Sequence, residues 1–432
     1  MRLTESIRIR VAVSALLLSV VAVAPSWAQS TDEAVRQALA AGVSARVIME
    51  FSSTSARDAA YTRLLNRGAA VRTVDTEGGP ALFVMGSASA LLSEFGSATQ
   101  VSSDAVVTVS AVSQARDNGK SNSAGSNTSS APSSSSKGLA VAVIDSGIQP
   151  HVDLPASRIR LFKDFVKGGK KPIDGCGHGT HVAGIIAGSG VASGGDYKGI
   201  APGVDIVALR VLGDDCSGNT SDVIDALDWV GRNYETYNIR VVNLSLGHPV
   251  FQSIIWDPLV QAVERLSRKG IVVVTAAGNK GPGYGSVGVP CNAPSSVCVG
   301  ALDTNKGTAT FDDDSVALFS SRGPTRFDLI AKPDLVAAGV GITSLSAPGS
   351  TIFNHPKLNL TKVSGSNQQP GEDAAYQTLD GTSMSAPAVA GAAARVLEAN
   401  PGLSANTVKL ALQYTPPRWC RAPTRSRRAR AR

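Results

Sequence analysis

Residues 138–147 read GLAVAVIDSG. From Leu139 to Ile144 every side chain is apolar, and then an aspartate meets a Ser-Gly turn. A strand with one wet face alternates apolar and polar residues; an unbroken run has both faces covered. The same kind of run recurs as DIVALRV (205–211), IRVVNL (239–244) and IVVVT (271–275). Helical patterns separate these runs, among them Asp222 to Tyr234 and Pro258 to Lys269. Strands and helices alternating in this way predict an α/β fold, a mostly parallel doubly wound sheet with helices on both faces. In such sheets ligands sit outside the carboxyl ends of the strands. The ends are therefore the place to look for chemistry.

Upstream of this region the chain opens with a secretory pattern. Arg2, Arg8 and Arg10 precede an apolar run from Val11 to Ala24, and Ser26-Trp27-Ala28 offers small residues at the cleavage positions. The run is too short to favour a membrane span, so residues 1–28 read as a signal peptide cut after Ala28. Residues 29–112 form a second pattern: strand 46–51, helix 56–66, strands 70–73 and 81–85, helix 89–95, strand 105–110. The order βαββαβ predicts a small α+β, ferredoxin-like unit. Residues 113–137 are rich in Ser, Asn and Gly and read as a linker carrying a processing site. The large α/β domain then occupies 138–415.

Residues 416–432 carry seven arginines and no acid, and the whole chain has 41 basic and 34 acidic residues. The remainder is thus balanced at 34 of each, which removes nucleic-acid binding as a reading of the body. The tail reads better as out-of-frame translation of a GC-rich gene than as a basic arm for acidic surfaces. On that reading the native chain continues differently. Five cysteines suit an oxidising compartment. Cys291 and Cys298 close a short loop, Cys176 and Cys216 sit in two Gly/Asp-rich turns, and these are the two pairs expected; Cys420 is left in the tail. No CxxC or HExxH spacing supports a zinc site.

Five strand or helix ends carry candidate residues. VAVIDSG delivers Asp145, which alone would read as a turn aspartate. DGCGHGTHVAG places His178 and His181 at a helix start, where cap or packing roles are the ordinary reading. VVNLSLG ends in Ser245, Leu246 and Gly247. VVVTAAGN ends in Ala276, Ala277, Gly278 and Asn279. LDGTSMSAPAVAGAAAR (379–395) places Ser383 and Ser385 ahead of Pro387. Proline lacks an N–H and is tolerated only near a helix start. A helix beginning at Thr382 or Ser383 therefore leaves the Ser383 amide without an intrahelical partner. A hydroxyl beside such a free donor is what acyl transfer requires. Ser385 would be rotated away within the first turn.

With these segments in view, 138–415 resembles the subtilisin-like serine proteases (subtilases), in the secreted disulfide-containing branch near proteinase K and aqualysin. VAVIDSGI, GHGTHVAG and GTSMSAP match the family's aspartate, histidine and serine motifs, and AAGN, NLSLG, FSSRGP and KPDLVAAG match further segments. The resemblance implies a secreted serine endopeptidase working through an acyl-enzyme, with Ser383 as nucleophile, His178 as general base, Asp145 orienting it and Asn279 holding the oxyanion. Ser245, Leu246, Gly247, Ala276, Ala277 and Gly278 would bind substrate, with broad apolar or aromatic preference. Cys176–Cys216 fits one bridge of that branch, and Cys291–Cys298 fits with a shorter loop. The resemblance further implies that 29–112 is an inhibitory propeptide and that the chain is an autoprocessed monomer. It implies protein and peptide substrates, no nucleic-acid or membrane partner, and no cofactor for the chemistry, with structural calcium possible. His181 is assigned to structure, and the polar insertion 346–378 to solvated surface. The rival reading is a dead, peptide-binding relic with a damaged C-terminus.

Overall fold

The computed structural model describes residues 31–109, 122–123, 138–304, 313–355, 360–361 and 376–414. The expected signal peptide, the linker 113–137 apart from residues 122–123, the arginine tail and most of the 346–378 insertion lie outside the described residues. The chain divides into two compact units, Met1–Asp75 with Gly79–Ser103 and Thr76–Gly78 with Asp104–Arg432.

The smaller unit runs α1 (Glu33–Ala40), β1 (Ala45–Glu50), α2 (Thr54–Asn66), β2 (Ala70–Thr76), β3 (Gly79–Gly86), α3 (Ala88–Leu92) and β4 (Gln100–Ser103). Its sheet has the order β2-β3-β1-β4, with β1 antiparallel to both neighbours. Val47, Met49, Leu64, Leu82, Val84 and Leu91 fill its core. The last strand of this sheet is not the expected 105–110 but QVSS at 100–103. Only Val101 there is apolar, so the strand is nearly silent in a hydrophobicity pattern. The β-branched VVTV that drew the reading forms β5 (Val106–Val109) and belongs to the larger unit.

The larger unit is built on β6 (Ala140–Asp145), β7 (Ile159–Asp164), α4 (His178–Ala187), β8 (Asp205–Arg210), β9 (Ser217–Asn219), α5 (Thr220–Asn233), β10 (Ile239–Leu244) and β11 (Leu246–Gly247). It continues with α6 (Pro258–Arg268), β12 (Val272–Ala276), β13 (Val297–Asp303), β14 (Ser315–Val316), β15 (Leu335–Ala338), β16 (Ile342–Leu345), β17 (Tyr376–Leu379), α7 (Thr382–Ala399) and α8 (Ala405–Tyr414). The main sheet has the order β14-β13-β12-β10-β6-β8-β7, with β15 also on β13. All its pairs are parallel except β13–β14. Every residue of β6 is buried, as its unbroken apolar run requires.

Val141 and Val143 face a core shared with Val182 and Ile185 of α4 and Val389 and Ala393 of α7. Alanines at 386, 388, 390, 393 and 394 let α7 lie close across β10, β12 and β13. From β6 the chain winds to β7 and β8 on one side, then crosses to β10, β12 and β13 on the other. The order reverses between β6 and β10, and a crevice opens at such a switch point. Asp145 and Ser245 stand at its two lips.

Candidate active site

Asp145 ends β6 and is fully buried. Its Oδ1 accepts the Ser146 N–H at 2.7 Å and the Nδ1–H of His178 at 2.8 Å. A carboxylate on Nδ1 selects the tautomer that leaves a lone pair on Nε2. That Nε2 is buried and has no hydrogen-bond partner among the described residues.

His178 is the first residue of α4, and the loop before it explains its position. Asp174, buried, accepts from Gly177 N–H (2.7 Å), Thr180 N–H (2.8 Å) and Thr180 Oγ–H (2.7 Å). Ser146 donates to Asp174 at 2.8 Å and accepts the Gly179 N–H at 2.9 Å. One carboxylate thus caps α4 and ties it to the residue after Asp145. A Cβ on Gly179 would fall 2.2 Å from the Gly147 carbonyl oxygen, so only glycine lets the two turns meet. Sequence reasoning passed over Asp174; an aspartate shortly before a helix-opening Gly-His-Gly-Thr was the available signal.

Ser383 lies in the first turn of α7, behind Gly381, which offers no side-chain cap. In a regular helix the amide of residue 387 would bond the Ser383 carbonyl, and Pro387 has none to offer. The freed carbonyl accepts the Ser245 hydroxyl at 3.0 Å, and the Ser383 hydroxyl donates to the Ser245 carbonyl at 2.8 Å. Asn243 Nδ2 donates to Ser245 Oγ at 2.9 Å. The Ser245 side chain is therefore spent on holding α7, and only its backbone faces a ligand. Ser385 is buried, its Oγ has no partner among the described residues, and a Cβ on Gly339 would lie 2.3 Å from it.

Asn279 follows β12 by three residues. Its Oδ1 accepts both the N–H (3.1 Å) and the Oγ–H (3.0 Å) of Thr382, whose Oγ accepts the Gly278 N–H at 3.1 Å. With Oδ1 committed to the helix start, the amide N–H₂ is turned the other way. Thr382 is a second residue the sequence reading left out; no pattern marks a threonine as a bridge between distant segments.

The remaining candidates form backbone walls. Ala277 accepts the Gly288 N–H at 3.2 Å, and His248 pairs with Val289 in both directions (3.1 and 2.9 Å). Segments 246–248, 276–278 and 288–289 are thereby joined. Cys291–Cys298 closes the loop beyond and packs with Ala277 and Val287. Cys176–Cys216 joins the loop before His178 to the residue before β9. Between β9 and β11 lies β5, antiparallel to both.

His181 is buried one turn beyond His178. Its Nε2–H donates to the Gln377 carbonyl at 2.9 Å, and burial pushes its pKa down to about 3. It stays neutral at any ordinary pH and serves packing. The described part of the 346–378 insertion is not simply solvated: Thr351 and Ile352 N–H groups bond the Gly175 and Cys176 carbonyls, both at 2.9 Å. Among the described residues no group of three His, Cys, Asp or Glu side chains is placed to hold a metal ion. No helix there is long and apolar enough to cross a membrane.

Comparison with known proteins agrees with this geometry. The chain is 42% identical over 288 residues to "Serine protease AprX" of Bacillus subtilis (strain 168), covering 66% of this chain and 62% of that protein. It is 36% identical over 278 residues to "Subtilisin Savinase" of Lederbergia lenta, covering 64% of this chain and 83% of the relative. A solved "Psychrophilic Protease" superposes with a TM-score of 0.51 at 32% identity, over 64% of this chain and 82% of that one. The chain thus spans less than two thirds of AprX and most of Savinase. Residues 136–426 match the subtilase family (Peptidase_S8), and the chain belongs to that family.

Proposed function

We propose that the chain is a secreted serine endopeptidase, made as an autoprocessed precursor and acting on proteins and peptides. One observation carries the reading: the buried His178–Asp145 pair, which leaves a partnerless lone pair on Nε2. Such an imidazole is a base waiting for a hydroxyl.

Ser383 Oγ attacks the substrate carbonyl as His178 Nε2 takes its proton. To do so the hydroxyl leaves the Ser245 carbonyl by rotation about its χ1 bond, a move between staggered wells. Catalytic hydrogen bonds commonly tighten only when substrate is bound. Asp145 holds the tautomer and stabilises the imidazolium that forms. The Asn279 amide and the Ser383 N–H, at a helix start with no charged cap, receive the developing oxyanion. The leaving amine takes the proton from His178, and water then cleaves the acyl-enzyme with the same groups. The substrate backbone pairs with Leu246-Gly247 as an added strand. Uncharged walls at 245–247 and 276–278 favour apolar or aromatic side chains before the scissile bond.

No cofactor enters these steps. Residues 29–112 act as the inhibitory propeptide, and the enzyme works as a monomer. A fluorophosphonate probe tests the reading. Labelling of the processed protein, lost in Ser383→Ala and kept in Ser385→Ala, is expected. Absence of labelling in the processed wild type would sink it.

A further inference from the structure

Two loops of the larger unit meet beyond the backbone walls, and both turn large apolar side chains outward. The first, 248–257, runs from β11 to α6, and the second, 322–331, precedes β15. Asp328 joins them: its carboxylate accepts the Ser253 hydroxyl and, at 3.0 Å, the Ile254 N–H. A third segment lies against the second loop. Tyr284 bridges to Arg322, the Ser286 N–H donates to the Arg322 carbonyl at 3.0 Å, and a Cβ on Gly285 would lie 4.0 Å from Arg326 Cγ.

On this joined face Ile255 is 61% exposed, Trp256 44%, Tyr284 84%, Phe327 56% and Leu329 74%. Single exposed apolar residues are ordinary, whereas a cluster marks an interaction surface. The backbone beneath two of them is also unusual. Phe327 and Leu329 have φ of 65° and 56°, a left-handed conformation that bulky residues rarely adopt. Hydrogen bonds to Thr325 hold the turn: the Leu329 N–H donates to its carbonyl at 3.1 Å and the Ile330 N–H to its Oγ1 at 3.0 Å. Asp328 is spent between the loops while Phe327 and Leu329 on either side of it stay in solvent. Such conformations persist only where the surroundings over-determine them, and they gather at functional surfaces.

The face is continuous with the walls at 246–248 and 288–289. Loop 248–257 leaves directly from Leu246-Gly247, and its first residue, His248, pairs with Val289. Tyr284 lies between Asn279 and that same Val289 in the chain. A polypeptide held in the cleft therefore has further segments within reach of the face. Arg326 rims it, with its guanidinium 5.6 Å from the Phe327 ring centroid, which disfavours a basic partner.

We propose that this face is an exosite for unfolded protein substrates, binding an apolar segment of the polypeptide that lies outside the cleft. The inference rests on the endopeptidase reading above and adds the substrate class. Binding remote from the scissile bond holds ground state and transition state equally, so it lowers KM and leaves kcat alone. Two sites on one polypeptide reinforce each other through effective concentration, and a peptide too short to span both gains nothing.

The test compares the full chain with Phe327→Asn/Leu329→Asn, since asparagine accepts a left-handed backbone and spares the loop. The substrates are reduced, carboxymethylated α-lactalbumin, which is unfolded and acidic, and a short peptide anilide. In the double variant KM for the protein should rise about tenfold with kcat unchanged. Anilide kcat/KM should stay within about twofold of wild type. Ile255→Ser, in the other loop, should give the same split at smaller size. A protein KM that does not move, or an anilide KM that rises with it, overturns the exosite. An unmoved protein KM beside a wild-type dimer that the variant dissociates gives the face to a second copy. Wild-type binding to phosphatidylglycerol vesicles, lost in the variant with the protein KM unmoved, gives it to lipid; either result overturns the proposal. Wild type that hydrolyses neither substrate overturns the endopeptidase reading and the exosite together, whereas hydrolysis of both without the split overturns the exosite alone.

Discussion

Two helix starts meet at the crevice, and they are finished in opposite ways. The start of α4 is capped by side chains: Asp174 takes the amides of Gly177 and Thr180, and Ser146 takes that of Gly179. The first turn of α7 begins at a glycine with no side-chain cap. A helix start concentrates partial positive charge. At α4 a buried carboxylate neutralises it, so the helix serves only to hold His178 still. At α7 only an uncharged amide oxygen, Asn279 Oδ1, takes the Thr382 N–H, so the positive end beside the Ser383 hydroxyl is not neutralised. The lesson is that a residue's role here follows from what its neighbours have already satisfied.

The largest break in this comparison is Ser383→Ala. It should cost on the order of 10⁶ in kcat, the loss measured when a subtilisin is deprived of its serine; a residual rate within tenfold of wild type would refute the assignment of α7. Next, Asn279→Ala removes the donor aimed at the oxyanion while sparing the triad. The expected fall is about 10²–10³ in kcat with KM little changed, the size known for the corresponding asparagine in subtilisin. Steady-state kinetics on a peptide anilide would read both.

The α4 side should respond in stability first. His181 has a folded pKa near 3 against an ordinary 6.5. Between those values the unfolded chain binds a proton that the folded one refuses, so stability falls as pH drops below 6.5. The slope contributed is about 1.4 kcal/mol per pH unit. Denaturant melts of His181→Gln from pH 7 to pH 4 should lack that share of the slope. Asp174→Ala strips the α4 cap, worth about 2 kcal/mol and a few degrees of Tm. Calorimetry should show that drop together with a lower kcat, since His178 loses its footing. Smallest of all, Ser385→Ala should leave kcat/KM within about threefold, because its hydroxyl bonds nothing among the described residues. A large loss there would reopen the choice between the two serines.

Much of the larger unit was legible because its signals are local. Strands buried on both faces are dense in apolar and β-branched residues, so β6, β8, β10 and β12 announced themselves. Pro387 limited where α7 could begin, and that singled out Ser383 over Ser385. The smaller unit was less readable. QVSS at 100–103 offers one apolar side chain, while the stronger VVTV pattern two residues later serves another sheet. Hydrophobicity reports that a strand exists, not which partner it pairs with.

The residue types of the site were therefore written in the sequence, with their order and their place at strand and helix ends. The linking bonds were not. That Asp174 caps α4, that Ser245 fills the carbonyl Pro387 leaves empty, that Thr382 turns the Asn279 amide, and that β5 pairs with β9 and β11 all join residues distant in the chain. Such bonds depend on which polar groups folding leaves unsatisfied, and that is settled only when the elements are packed.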